Sequence, residues 1–473
     1  LGKLALGTIY FILVQVVFLA SGYIIHAGLG RTLGPELYGT FGVVIALVTV
    51  FNLILISGMP QAASRYIAVD NRNARAVKKA SNRIMLYFSA GLFVLYFLLA
   101  DVIASLLLDP GLALYIRVSA LIIPVYAFYS LYTGFLNGLR EYGKQAKAMF
   151  SYNVAKVAGV FALILLGFSV AGAIAGFILA PLIGLFVASH YFRPDRNESV
   201  FDQKELLGFA IPVIIFSVAF TVLMSLDLFF VKRMIAGDEV GYYAAASNLS
   251  RLPYYTLTAV GAALFPAVAA CGSREQIGKY LMGSMRYVLI LLFLIVALVS
   301  STSGGLITLF YSSKYIPAAL PLTVLVFGMG FLTLFSIFTT VITASGMART
   351  AMIISIAMIP LAFAAGAVLV PAYSLLGAAA ATTAVSFLGF AVALFYVHRI
   401  AGRVAEPVSV LKVGLASVVV FVLISQVHVQ PLLLPVLYAA MSVLYFGILV
   451  AVKEIGMEDI RRLKENYEIS RLR

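Results

Sequence analysis

Long apolar runs broken by short polar segments fill this chain from end to end. Charges, Gly/Pro pairs and turn residues delimit fourteen runs. They lie at 5–29, 39–62, 84–106, 112–136, 146–168, 172–192, 208–231, 242–270, 283–310, 317–344, 350–370, 374–397, 409–427 and 432–452. About 20 apolar residues in helical form cross the hydrocarbon core of a bilayer. Only helices and closed barrels satisfy their own backbone there, and none of the runs alternates as a barrel strand does. The first run is longer than the core of a secretory signal and lacks a small-residue cleavage site, so it reads as a true span. The pattern predicts an all-α polytopic membrane protein of about fourteen transmembrane helices.

Composition agrees with that pattern. The 473 residues are 63% hydrophobic and 11% charged, against about 45–50% and 25% in soluble domains. Fourteen spans with short loops use up these residues, which leaves no segment for a catalytic domain. The longest polar stretches run from Arg193 to Leu207 and from Lys453 onward.

The net charge of +14 reads as topology, not as nucleic-acid binding. With a cytoplasmic N-terminus, 26 of the 33 Lys and Arg fall in cytoplasmic segments, four in outer ones, and three (Arg117, Lys156, Arg251) inside spans. The positive-inside rule therefore supports an even number of spans, with both termini cytoplasmic in a plasma membrane. The single Cys271 excludes a disulfide framework, and four scattered histidines offer no metal-ligand spacing.

An internal repeat divides the chain. Gly34-Pro35-Glu36-Leu37-Tyr38 after the first span returns as Gly237-Asp238-Glu239-Val240-Gly241-Tyr242 after the seventh, 203 residues on. Ser169-Val170-Ala171-Gly172-Ala173 returns as Ser374-Leu375-Leu376-Gly377-Ala378, 205 residues on. A six-span unit keeps its orientation when repeated, so a parallel pseudo-two-fold pair of lobes is expected, with a site between them. The expected organisation is a six-helix lobe at 1–199, a second at 200–404, two additional helices at 405–452 and a basic amphipathic cytoplasmic tail at 453–473.

Charges at depth are the candidate functional groups. A central Arg, Lys or Asp costs roughly 2.5–3.5 kcal/mol on insertion scales and usually faces a cavity. Arg251 and Lys156 each fall about 15 Å into their spans at 1.5 Å per residue. With no acid expected at that level, the two cations suggest an anion site, where a diphosphate would take charge-assisted bonds. Asn248, Arg251 and Tyr255 are spaced i, i+3, i+7 on one helical face, and Asn153 shares a face with Lys156. Arg65 at the cytoplasmic mouth of the second span either receives substrate or serves as a positive-inside anchor. Arg31 and Glu36 lie at the outer mouth, where they either close a gate by pairing with Lys232, Arg233 or Glu239 or cap a turn, the turn being the favoured reading for Glu36. Arg117 lies near enough to a span end to snorkel. Asp227 is the one acid well inside a span, and pairing with Lys232 or Arg233 is its plain alternative. Tyr242 and Tyr243 read as interfacial belt residues.

Arg31-Thr32-Leu33-Gly34-Pro35-Glu36-Leu37-Tyr38-Gly39-Thr40-Phe41 resembles the R-x-L-G-P-x-x-Y-G-x-F signature of the polysaccharide (oligosaccharide) flippase family. Gly58-Met59-Pro60-Gln61-Ala62-Ala63-Ser64-Arg65-Tyr66-Ile67-Ala68 and Glu239-Val240-Gly241-Tyr242-Tyr243 look like later signatures of that family. It sits in a superfamily with the lipid II flippases and the multidrug and toxin extruders. The resemblance implies two lobes forming a V, alternating access and a polyprenyl-diphosphate-linked glycan as substrate. It aligns Asp227 with an acidic sodium ligand of some lipid II flippases, so sodium or a proton would be the coupling ion. The eleventh span, however, has none of the Asp, Asn or Glu partners that such a site uses.

The expected protein is a monomer among membrane lipids, working beside glycan polymerase or ligase machinery and needing no other cofactor. Enzymatic readings fail on the residues: Gly138–Lys144 fits G-x-x-x-x-G-K, but Gln145 stands where Ser or Thr must hold magnesium, and a span precedes it in place of a strand. The rival readings are a cation-coupled drug extruder of the same fold, which would want acids in the first span, and a membrane scaffold that does not transport.

Overall fold

The computed structural model describes residues 3–56, 58–194, 203–271, 273–427 and 429–456. Seventeen helices follow one another: α1 (Lys3–Ile56), α2 (Met59–Val69), α3 (Ala74–Leu98), α4 (Ala100–Leu106), α5 (Leu112–Ala120), α6 (Ile122–Gly138), α7 (Tyr142–Leu165), α8 (Ser169–Tyr191), α9 (Gln203–Met234), α10 (Asp238–Ser250), α11 (Leu252–Ala269), α12 (Arg274–Ser301), α13 (Ser303–Phe310), α14 (Ala319–Ala344), α15 (Ala348–Ala401), α16 (Pro407–Ser425) and α17 (Leu434–Ala451). No strand occurs among the described residues.

Eleven helical stretches are long and apolar enough to cross a membrane, and two of them, of 57 and 54 residues, are long enough to cross twice. Each doubled stretch breaks where the sequence pattern places a span boundary, α1 at Gly34 and α15 at Ser374. With the 32-residue α9, the fourteen expected crossings are present.

The breaks carry the internal repeat in their backbone. Gly34 and Gly237 both have positive φ (78° and 71°), as do Ser169 and Ser374 (47° and 52°) and Arg140 and Gly346 (58° and 88°). The first two pairs are the sequence matches found above. Gly34, with ψ of 174°, occupies a region that essentially only glycine enters.

The chain divides into two compact units, with residues up to Ser225 in the first and Leu226 opening the second. This division falls inside α9, whereas the lobe boundary expected at 199/200 lies on residues outside those described. Most of the 453–473 tail also lies outside them.

In lipid the hydrophobic effect does not drive helix association, so close backbone approach must supply the contact. In the first unit α8 presents Gly172, Ala173, Gly176, Ala180 and Gly184, all buried. A Cβ on Gly176 would come within 2.6 Å of the Val160 backbone nitrogen on α7. In the second unit Gly377 sits just past the Ser374 break, and a Cβ there would come within 1.9 Å of the Leu369 carbonyl oxygen. Backbone cannot yield as a flexible side chain does. Gly377→Ala is therefore expected to cost about 3 kcal/mol or more, read as loss of monodisperse protein on size exclusion. The outward faces are apolar, as lipid requires: Tyr87, Leu165, Phe186, Leu432 and Val443 are all more than two-thirds exposed.

The two C-terminal spans dock on α12 in the second unit. Ile290, Leu294 and Leu298 of α12 pack with Val413, Val420, Tyr445 and Leu449, and the Tyr445 hydroxyl donates to the Ile290 carbonyl at 3.0 Å. At the end of α17 the chain turns inward, with Lys453 at φ 56°. The buried Glu454 carboxylate accepts from Arg286 Nε at 3.0 Å and Ser409 Oγ at 2.5 Å, with Lys412 Nζ at 3.9 Å. Glu454→Ala would leave two cations facing an empty site. We expect a loss of about 1.5–3 kcal/mol, the usual worth of hydrogen bonds to charged groups, seen as a lower apparent melting temperature by circular dichroism.

Candidate functional site

The first unit places Lys156 mid-way along the unbroken α7, with Asn153 one turn before it. Lys156 is 4% exposed. Its Nζ lies 5.2 Å from the ring centre of Phe18 on α1, 5.2 Å from Tyr152 and 5.7 Å from Phe177 on α8. A desolvated cation over an aromatic face gains about 2 kcal/mol, so three faces offset part of the burial cost. Asn153 is also buried, but its amide is engaged inside the bundle: Oδ1 accepts from Ser21 Oγ at 2.9 Å and Nδ2 donates to the Met149 carbonyl at 2.9 Å. The Ser21 bond fastens α7 to α1, and the Met149 bond lies within α7.

The other first-unit candidates lie at the surface. Arg65 is exposed on α2, with its guanidinium 6.0 Å from the Tyr66 ring centre. Arg31 is exposed on α1 just before the Gly34 break. Arg117 does not snorkel alone; it pairs with Asp101 and lies 5.9 Å from the Phe97 ring centre. Glu36 is exposed on α1, and in the second unit Glu239 accepts from Ser374 Oγ at 3.0 Å.

In the second unit Arg251 occupies a break. Pro253 has no N–H for a helical bond and crowds the preceding turn, so α10 ends at Ser250 and α11 starts at Leu252. The turn is a single residue: Arg251 keeps right-handed helical angles (φ −76°, ψ −2°) and its carbonyl accepts from the Tyr255 N–H at 3.1 Å, so the span runs on through it. Asn248 Nδ2 donates to the Tyr311 hydroxyl at 3.1 Å, and Tyr255 packs edge to face on Tyr254 at 5.7 Å.

An acid also stands within electrostatic reach of Arg251, which corrects the expectation that none would. Asp227 lies seven residues before the end of α9, 7% exposed, and feels the charge of Arg251. Its Oδ2 accepts from the Tyr243 hydroxyl at 2.8 Å and from Thr382 Oγ1 at 3.2 Å, and Oδ1 accepts from the Leu228 N–H at 2.8 Å. These partners, and not the alternative pairing with Lys232 or Arg233, hold it. Tyr243, read from sequence as an interfacial belt residue, is fully buried against this carboxylate.

Sequence reasoning missed Thr382, Tyr311, Phe18 and Phe177. Each is an ordinary apolar-span residue, given its role by a neighbour far away in sequence. Tyr243 carried a usable signal, since it is one turn beyond Glu239 in the quoted motif and faces inward.

A family model described as polysaccharide biosynthesis protein matches residues 4–271, more than half of the chain. The chain belongs to the polysaccharide biosynthesis protein family. Among curated proteins it is 24% identical over 368 residues to a candidate O-antigen transporter of Shigella flexneri, covering 74% of this chain and 87% of that one. It is 26% identical over 273 residues to the succinoglycan biosynthesis transport protein ExoT of Rhizobium meliloti (strain 1021), covering 56% of this chain and 53% of that one. Among solved structures it shares the fold of the lipid II flippase MurJ in an inward closed conformation, with a TM-score of 0.75 at 14% identity over 95% of this chain and 99% of that one. An inward-facing multidrug resistance MATE transporter of the MOP superfamily gives 0.68 at 16% identity, over 82% and 95%. Its many apolar helices and its family make this a multi-pass membrane protein of polysaccharide biosynthesis, with a fold shared by MurJ and MATE transporters.

Proposed function

We propose that this family member is a flippase that moves a polyprenyl-diphosphate-linked oligosaccharide from the cytoplasmic to the outer leaflet by alternating access. The observation that carries the reading is Arg251 at a helix break in the interior of a span, in a chain of this family. A planar guanidinium forms two parallel bonds to a phosphate. Exposed Arg65 receives the diphosphate on entry, and Arg31 acts at the outer end. Asn248 and Tyr255, half-buried around the break, offer an amide and a ring to sugar.

Ion coupling is assigned to Asp227. Because α15 lacks further acids or amides at 350–370, a proton fits this carboxylate with fewer ligands than sodium, which needs several more oxygens. The protein resides in the plasma membrane with both termini cytoplasmic and works as a monomer beside glycan-assembly machinery.

Deletion of the gene in its host tests the reading against a drug extruder. The expected result is loss of a surface glycan, restored by the wild-type chain and not by Arg251→Ala, with unchanged drug susceptibility. Drug sensitisation with an intact glycan would favour the extruder.

A further inference from the structure

The outward face of α3 is exposed, whereas the same face of its repeat partner α12 is covered by the chain itself. α3 ends at Leu98 and α4 opens at Ala100; α12 ends at Ser301 and α13 opens at Ser303. These one-residue turns lie 203 residues apart (302 − 99), the offset that also separates Gly34 from Gly237. In that register Arg286, Ile290, Leu294 and Leu298 of α12 correspond to Arg83, Tyr87, Gly91 and Leu95 of α3. The α12 ridge seats α16 and α17, and Arg286 at its end donates to the buried Glu454 carboxylate. The α3 ridge is open: Tyr87 is 68% exposed and Leu95 48%, Arg83 and Gly91 are exposed, and a Cβ on Gly91 would meet nothing within 4 Å.

That face changes character at one point. Arg75, Lys79 and Arg83 follow each other four residues apart, all exposed, and share a helical face with the exposed Tyr87, Val94 and Leu98. Lys78 belongs to another face, with its ammonium 5.3 Å from the Tyr132 ring centre and 5.4 Å from that of Phe192. α3 contains no Asp or Glu, so the counter-charge for the stripe does not come from its own helix. The apolar part starts one turn after Arg83, which places the edge of the hydrocarbon there. At 1.5 Å per residue Lys79 lies about 6 Å and Arg75 about 12 Å farther out, and a headgroup layer is about 5–7 Å deep. A second copy docked symmetrically on this face would set like charges against each other. A phospholipid meets both halves, with acyl chains along Tyr87, Val94 and Leu98 and a phosphate between Arg83 and Lys79. We infer that the outward face of α3 binds an anionic phospholipid, whose phosphate does for Arg83 what the Glu454 carboxylate does for Arg286. The site is independent of what the protein transports.

The chain contains no tryptophan, so Tyr87→Trp sets a single fluorescent reporter on this face. The full-length variant is reconstituted into vesicles of phosphatidylcholine and phosphatidylglycerol, and quenching by brominated acyl chains of one lipid or the other gives their relative association at the site. We expect phosphatidylglycerol to associate at Tyr87→Trp at least about fivefold more strongly than phosphatidylcholine. Adding Lys79→Gln and Arg83→Gln should bring the two lipids within about twofold of each other, whereas Arg83→Lys should keep most of the preference. Val443→Trp serves as the reference, because Val443 is 75% exposed on α17, a helix without charged residues; there the two lipids should also agree within about twofold. All these positions are exposed, so the packed core is untouched, and circular dichroism of each variant should match wild type. Equal quenching by both lipids at Tyr87→Trp would overturn the inference. So would a preference that survives Lys79→Gln with Arg83→Gln, or one that is equally large at Val443→Trp. Quenching by neither lipid at Tyr87→Trp would overturn it too, since in vesicles of the purified protein only a second copy could then cover the face.

Discussion

Arg251→Ala in reconstituted vesicles is expected to transport polyprenyl-diphosphate-linked glycan about 10- to 100-fold more slowly than wild type. Hydrogen bonds to charged groups contribute about 1.5–3 kcal/mol each, and each 1.4 kcal/mol is a factor of ten. The guanidinium stands at the junction of α10 and α11, where Pro253 has removed the helical bond that would otherwise fix the span. Arg251→Lys keeps the charge and loses the planar fork, so an intermediate rate is expected. Loss of transport in both variants with unchanged melting places the defect in substrate handling. Equal rates in wild type and Arg251→Ala would remove this residue from the account.

Asp227→Ala carries the largest expected cost in stability. The carboxylate joins α9 to Tyr243 on α10 and Thr382 on α15. Its removal leaves two hydroxyls without their shared acceptor, each orphaned group costing about 1–3 kcal/mol when buried. Tyr243 and Thr382 already interact with each other and recover part of that loss. Removing the carboxylate also takes a negative charge from beside Arg251, and buried charges tolerate poorly the loss of a counter-charge. We expect a net loss of about 2–4 kcal/mol, read as a lower apparent melting temperature by circular dichroism. Asp227→Asn keeps the shape and one acceptor, so it should melt closer to wild type. If Asp227 carries the coupling ion, Asp227→Asn should also flip at a rate that no longer responds to a proton or sodium gradient. A gradient response equal to wild type would reassign the coupling.

The spans were legible because lipid imposes one simple rule on sequence: about 20 apolar residues between polar breaks. All fourteen runs reappear as helix, and the 203- and 205-residue offsets return as paired positive-φ breaks at Gly34 and Gly237, Ser169 and Ser374. Short motifs preserve backbone geometry, which is why weak matches at a shared offset were informative. The candidate cations were legible as charges at depth, but their surroundings were not. The Lys156 cage draws on residues 18, 152 and 177, and the Asp227 partners on residues 243 and 382. Contacts across such separations leave no periodic trace in one sequence. The turn at Arg251 between α10 and α11 was in view in the sequence as Pro253, which lacks the N–H of a regular helical bond. Reading Tyr243 as a belt residue relied on its place near a span end, whereas its inward orientation buries it against a carboxylate.

The most direct test of the central reading is flipping by the wild-type chain itself. A fluorescent polyprenyl-diphosphate oligosaccharide is placed in the inner leaflet of proteoliposomes, and its arrival outside is followed by a membrane-impermeant quencher, with and without sodium or proton gradients. A cationic dye serves as the competing cargo. The account predicts protein-dependent flipping of the lipid-linked glycan, well above that of protein-free vesicles, and no movement of the dye. Flipping no faster than in protein-free vesicles under every gradient, or transport of the dye in its place, would contradict it.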